Sequence, residues 1–125
     1  MRLDHVGVII KHERQAQFLK DLLRLREMER GWVQEYQAEC IMLQGDGFRI
    51  ELILSKLGPL EKYNGGKGGV HHVALRLAPG EKLPEETPMI ETEEVRGICG
   101  MMVNFIPPVA AGFPIEIVRE ARGDE

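Results

Sequence analysis

Apolar residues recur at every second position in several short stretches of this chain and at helical spacing in one longer stretch. In residues 3–10, Val6, Val8 and Ile10 form one face of a strand, and His5, Gly7 and Ile9 form the other. Residues 48–54 place Phe48, Ile50, Leu52 and Leu54 together, with Glu51 opposite. Residues 70–77 place Val73, Leu75 and Leu77 together, which sets His72, Ala74 and Arg76 opposite and leaves His71 with the apolar set. Near the end, Phe113, Ile115 and Ile117 share a face from which Glu116 points away. Between the first two strands, residues 13–28 gather Ala16, Phe18, Leu19, Leu22 and Leu23 on one side against Lys20, Asp21, Arg24 and Glu27, the pattern of an amphipathic helix ending near Gly31. A strand over 31–37, a strand over 39–43 and the turn residues Gln44-Gly45-Asp46-Gly47 complete a β-α-β-β-β unit.

The unit occurs twice. His5-Val6-Gly7-Val8 and Gly47-Phe48-Arg49-Ile50-Glu51-Leu52-Ile53 return as His72-Val73-Ala74-Leu75 and Gly112-Phe113-Pro114-Ile115-Glu116-Ile117-Val118. The offsets nearly agree, 72 − 5 = 67 and 116 − 51 = 65. One domain over 1–125 is expected, made of modules 1–55 and 69–120. Where the second helix belongs, Ala78 to Pro88 holds three prolines and little periodicity, so a full helix is not expected there. A sheet face left thinly covered on that side favours self-association as a homodimer.

Each copy delivers one His near its start and one Glu near its end, all on faces opposite the apolar ones. Singly, each reads as a solvated carboxylate or a structural histidine; jointly, His5, Glu51, His72 and Glu116 outline a metal site. Oxygen and imidazole donors without thiolate suit Co²⁺, Mn²⁺, Ni²⁺ or a catalytic Zn²⁺ with positions left for substrate.

These segments resemble the vicinal oxygen chelate superfamily, the glyoxalase fold, over nearly the whole chain. Leu3-Asp4-His5-Val6-Gly7-Val8, Ile50-Glu51-Leu52-Ile53-Leu54 and above all Gly68-Gly69-Val70-His71-His72-Val73-Ala74-Leu75 are most similar to the methylmalonyl-CoA epimerases. The resemblance implies an α+β fold in which two tandem β-α-β-β-β modules form one cupped mixed sheet. It also implies His5, Glu51, His72 and Glu116 as ligands of a divalent metal ion, and a proton moved α to the carbonyl of an acyl-CoA. Two acids take off and return that proton in the family; they correspond to Glu116 and, by a looser alignment, to Glu39. Ile106-Pro107-Pro108 departs from the family's His-Pro turn. The superfamily's glyoxalase I, a lactoylglutathione lyase acting on a glutathione hemithioacetal, uses the same ligand types and is the alternative; a small-molecule-binding protein without catalysis is the third reading.

Composition sets the outer bounds. A net charge of −4 disfavours a nucleic-acid partner, and the chain lacks the run of about 18 apolar residues that a membrane helix needs. With its first strand starting close to Met1 and no signal-like segment before it, a cytoplasmic protein is expected. Cys40 and Cys99 are far apart and are expected reduced and buried. The connection from Ser55 to Gly69 is rich in Gly and carries Lys56, Lys62 and Lys67, which, with Arg24, Arg26 and Arg30, are candidates for the phosphates of a coenzyme A substrate. The six acids against one Lys between Glu81 and Glu94 read as a solvated loop.

Overall fold

A computed structural model describes residues 1–122 and contains one eight-stranded mixed sheet. In chain order the elements are β1 (Arg2–Ile10), α1 (Glu13–Leu23), β2 (Arg26–Val33), β3 (Ala38–Gln44), β4 (Arg49–Leu54), β5 (Gly69–Arg76), β6 (Val95–Arg96), β7 (Met101–Ile106), α2 (Pro108–Ala111) and β8 (Ile115–Glu120). The strand order β2-β3-β4-β1-β5-β8-β7-β6 reads the same from either end under the duplication. β1 pairs in parallel with β4, and its counterpart β5 with β8; the two halves join where β1 and β5 run antiparallel. The first and last strands of each module are thereby brought side by side at the centre of the sheet, which is what gathers the four candidate ligands.

One face of the first half is sealed by α1. Ala16 and Leu19 pack on Val8, Ile10, Ile41, Leu43, Ile50, Leu52 and Leu54, the apolar face that alternation predicts. Ile41, Leu43 and Leu52 are fully buried, and truncating one of them to Ala costs about 2–5 kcal/mol in such a setting. The helix starts where the Gln15 amide oxygen accepts the backbone N–H groups of Lys11 and His12, at 2.7 and 3.1 Å. It stops earlier than its apolar spacing suggests: Arg24 turns left-handed (φ 54°) and Leu25 N–H closes on Lys20 O, which drops Leu25 into the core. Residues 26–28, assigned to the helix from periodicity, instead begin β2, so that strand lies upstream of its expected place at 31–37.

The second half has no helix between β5 and β6; two isolated turns, Glu81 N–H to Ala78 O and Thr87 N–H to Pro84 O, stand in the proline-rich stretch. The chain beyond it takes another course. Ile90 N–H bonds to Phe105 O, the Asn104 amide holds both backbone groups of Glu91, and the turn at Ile98–Gly100 reaches β2, where Cys99 N–H donates to the Glu29 carboxylate. This segment closes the open side of the sheet's inner face. Cys40 and Cys99 are both free thiols, as expected, but Cys99 is only half-buried.

Candidate metal centre

All four candidate ligands are buried on the inner face, each at most 5% exposed: His5 on β1, Glu51 on β4, His72 on β5 and Glu116 on β8. The two ladders explain their meeting. Glu51 pairs with Gly7 of β1, and Glu116 with Ala74 of β5, so each carboxylate has a small residue beside it toward the centre of the sheet, with Met42 and Phe105 as its neighbours on the outer side. His5 Nε2 and His72 Nε2 lie 3.3 Å apart. Glu116 Oε1 is 3.1 Å from His5 Nε2 and 3.7 Å from His72 Nε2, and Glu51 Oε1 is 3.7 and 3.6 Å from the same two atoms.

These separations fit a shared divalent cation. Bonds of about 2.0–2.2 Å to nitrogen and oxygen put neighbouring donors roughly 3–3.5 Å apart. His5, His72 and Glu116 form a compact group of metal-ligating type. Glu51 completes the test: its Oε1 is buried and has no hydrogen-bond partner, an arrangement that is costly without a cation and natural with one.

The electrostatics are those of donors arranged for a cation. Burial opposes charge on His5, yet the contacts with Asp4 and Glu116 and the nearby negative charge of Glu51 carry its pKa up to about 11. His72 goes the other way, pushed down to about 2 by burial and by the neighbouring His5 and His71 rings. Burial also raises the Glu116 carboxyl above its usual range; the His5 hydrogen bond pulls it back and the charge of Glu51 adds to the rise. Asp4, by contrast, stays low: burial works to raise it, and His5 and Arg76 together outweigh that.

Above the cluster is a cavity of about 140 Å³, walled by Val33, Met42, Ile90, Val95, Ile98 and Val103 and floored by His5, Glu51 and Glu116. At roughly 30 Å³ per water, that is room for a short acyl group and not for a nucleotide. Its polar lining includes residues that strand alternation did not single out: Glu35, Tyr36, Arg49 and Glu91. Tyr36 and Glu35 sit in the turn between β2 and β3, and Glu91 in the irregular stretch before β6, where no periodicity marks them. The Tyr36 hydroxyl is buried without a hydrogen-bond partner and its ring lies 6.3 Å from that of His72.

Two residues stand on other faces than the sequence reading gives them. Glu39 is not brought to the cluster. It pairs with Leu54 on β4 and belongs to the helix-covered face, where its carboxylate takes a 2.7 Å hydrogen bond from Arg30, so the register sets the residue aligned as the second acid apart from Glu116. His71, expected among the apolar set, lies on the inner face with its Nδ1 2.8 Å from His72 Nδ1, because the β1–β5 register slips at that point. Arg30 is also tied to Glu13 and Glu27, which occupies one of the cations considered for phosphate.

No protein-family model and no curated protein sequence matches the chain. Solved structures do. Methylmalonyl-CoA epimerase from Mycobacterium tuberculosis superposes with a TM-score of 0.79 at 22% identity, over 97% of this chain and 89% of the other. A Streptomyces coelicolor methylmalonyl-CoA epimerase in complex with 2-nitronate-propionyl-CoA gives 0.77 at 22% identity, over 98% and 99%. A methylmalonyl-CoA epimerase in complex with methylmalonyl-CoA and ammonium gives 0.76 at 22% identity, over 96% and 94%. The likeness is one of architecture over most of both chains: this chain has the glyoxalase fold.

Proposed function

We propose that the protein is a divalent-metal-dependent acyl-CoA epimerase, with His5, Glu51, His72 and Glu116 as ligands of Co²⁺, Mn²⁺, Ni²⁺ or Zn²⁺. The observation that carries this reading is the convergence of four donor atoms, one of them a carboxylate oxygen without a hydrogen-bond partner, three of their residues flooring a small cavity with apolar walls. The likeness in fold to methylmalonyl-CoA epimerases supports the choice of chemistry.

The cation, when bound, supplies positive charge that favours loss of a proton next to a carbonyl. The chain supplies the rest. Burial keeps the proton affinity of Glu116 high, which suits a base that must take a proton from carbon and give it back. The apolar walls exclude water from the acyl group during that exchange. Epimerisation also needs a group on the opposite side of the α-carbon. Glu116 comes from the second half of the chain, and Glu35, on the first-half rim of the cavity, is the acid assigned that place. Arg49, which is on the same lining and donates from Nε to Gln44 Oε1 at 2.8 Å, is the partner for a carboxylate on the acyl chain. The coenzyme A moiety then lies outside the cavity, and a cytoplasmic location belongs to this reading. Homodimer formation through the face lacking a second helix belongs to the same reading.

The test is incubation of the Co²⁺-loaded protein with methylmalonyl-CoA in D₂O. Deuterium entering the α-carbon, and lost in Glu116→Gln, supports the epimerase. Metal uptake without exchange favours instead a lyase acting on a glutathione hemithioacetal or a protein that only binds.

A further inference from the structure

The antiparallel pairing of β1 with β5 slips in register at two places. Leu3 faces Leu75 and His5 faces Ala74, so Asp4 is an extra residue in β1; Gly7 faces His72 and Val8 faces Val70, so His71 is an extra residue in β5. The two irregularities obey the offset of the duplication, since 71 − 4 = 67 is also the spacing of His5 and His72. Each extra residue immediately precedes one of the proposed histidine ligands.

A bulge suspends strand alternation and re-aims a side chain. Without it, Asp4 and His71 would point to the face opposite their neighbours. With it, Asp4 Oδ2 lies 2.7 Å from His5 Nδ1, and His71 Nδ1 lies 2.8 Å from His72 Nδ1. Both contacts engage the ring nitrogen that faces away from the cluster, and both leave Nε2 facing in, where the two Nε2 atoms stand 3.3 Å apart.

We infer that Asp4 and His71 are paired positioning residues, delivered by two symmetric bulges, which hold the proton of each histidine ligand on Nδ1 so that Nε2 presents its lone pair to the metal. The inference rests on the metal reading of the site. Its chemistry is general: an imidazole binds a metal only through a bare nitrogen, and an acceptor at the other nitrogen fixes both tautomer and ring plane. Asp4 is itself fixed, because Arg76 donates to Oδ1 through Nε at 2.8 Å and Nη2 at 2.7 Å, which reserves Oδ2 for His5. His71 is held by the rings of Tyr36 and Tyr63, both edge-on, at centroid distances of 5.9 and 5.3 Å. The duplication has kept the device and changed its chemistry, a carboxylate behind one ligand and a neutral ring behind the other. Strengthening of the ligand by the partner is therefore greater at His5.

Metal-free wild type, Asp4→Ala, Asp4→Asn, His71→Ala and His71→Asn are titrated with Co²⁺ in a calorimeter, and the visible spectrum of each Co²⁺ form is recorded. Asn keeps an acceptor oxygen near the place of Oδ2 or Nδ1. Both Ala variants are expected to bind Co²⁺ about 10–100-fold more weakly, with shifted ligand-field bands, the larger loss at Asp4; the Asn variants recover most of the affinity and the bands. Ala variants with unaltered affinity and spectrum overturn the inference, and so does a loss that Asn fails to recover, since that would mark the side chains as packing only. A wild-type chain that takes up no Co²⁺ overturns the metal reading itself, a result distinct from equal binding by all five proteins.

Discussion

Gly7 on β1 lies directly across the ladder from His72 on β5, and a Cβ at position 7 would run into the His72 imidazole ring. The ring occupies the space that the missing side chain leaves. Gly7→Ala therefore displaces a proposed ligand without removing any polar group. Co²⁺ affinity is expected to fall by at least about tenfold, in the range of losing a ligand's support, while the far-UV spectrum keeps its strand signal. Calorimetric titration decides, and unaltered affinity would mean His72 stands elsewhere in solution.

Glu51 gives a prediction of opposite signs for stability and function. Its buried Oε1 has no hydrogen-bond partner, a cost of about 1–3 kcal/mol for such a group. Glu51→Met fills the same space without charge. The metal-free variant is expected to melt no lower than metal-free wild type. Addition of Co²⁺ at about 100 times its Kd should stabilise wild type by about 2.7 kcal/mol and leave the variant unmoved. Paired melting curves with and without metal check both halves.

How far the chain revealed this site depends on the regularity of each strand. In β4 and β8 alternation is unbroken, so Glu51 and Glu116 fall where Ile50, Leu52, Ile115 and Ile117 imply. In β5 the same logic picks out His72 and misplaces His71, since a bulge leaves no mark in the spacing of apolar residues. The end of α1 was hidden for a related reason: Leu25 continues the apolar content of the helix, but an Arg24 in the left-handed region takes it into the core from a different direction. Glu39 was placed by alignment, and the register turns it away from the cluster, one residue from Cys40, which does point inward. The cavity walls from Ile90 to Ile98 come from a stretch with no period at all, and only the three-dimensional path of the chain shows that they cover the site.

Metal binding should release a proton, and its source is His5. The pKa of this ring in the metal-free fold is raised to about 11 from an ordinary 6.5. Between those values the folded, metal-free protein keeps His5 protonated, whereas a metal ligand must be bare. Over pH 7–9 binding is expected to release about one proton and apparent affinity to rise about tenfold per pH unit. The same shift sets the sign for stability without metal: the folded state holds a proton the unfolded chain gives up, so the contribution of His5 is complete below pH 6.5 and is lost as pH rises through about 11. Calorimetry in buffers of different ionisation enthalpy measures the proton count, and a count of zero across this range would place His5 outside the coordination sphere.

Glu39 and Glu35 separate the two sides of the sheet. Glu39 is 42% exposed at its side chain and engages Arg30 on the helix-covered face, a kind of pair worth about 0–1 kcal/mol. Glu35 lines the cavity. Glu39→Gln is therefore expected to lower stability by less than about 1 kcal/mol and to leave both Co²⁺ affinity and α-carbon deuterium exchange within about twofold of wild type. Glu35→Gln is expected to keep the metal and to lose exchange by about 10²-fold or more, the usual contribution of a positioned acid or base. The two variants, assayed side by side with methylmalonyl-CoA in D₂O, distinguish the faces. Exchange lost in Glu39→Gln and kept in Glu35→Gln would require the β3–β4 register to differ by one residue from Glu39 opposite Leu54, which would turn Met42 and Cys40 away from the site and bring Ile41 into it.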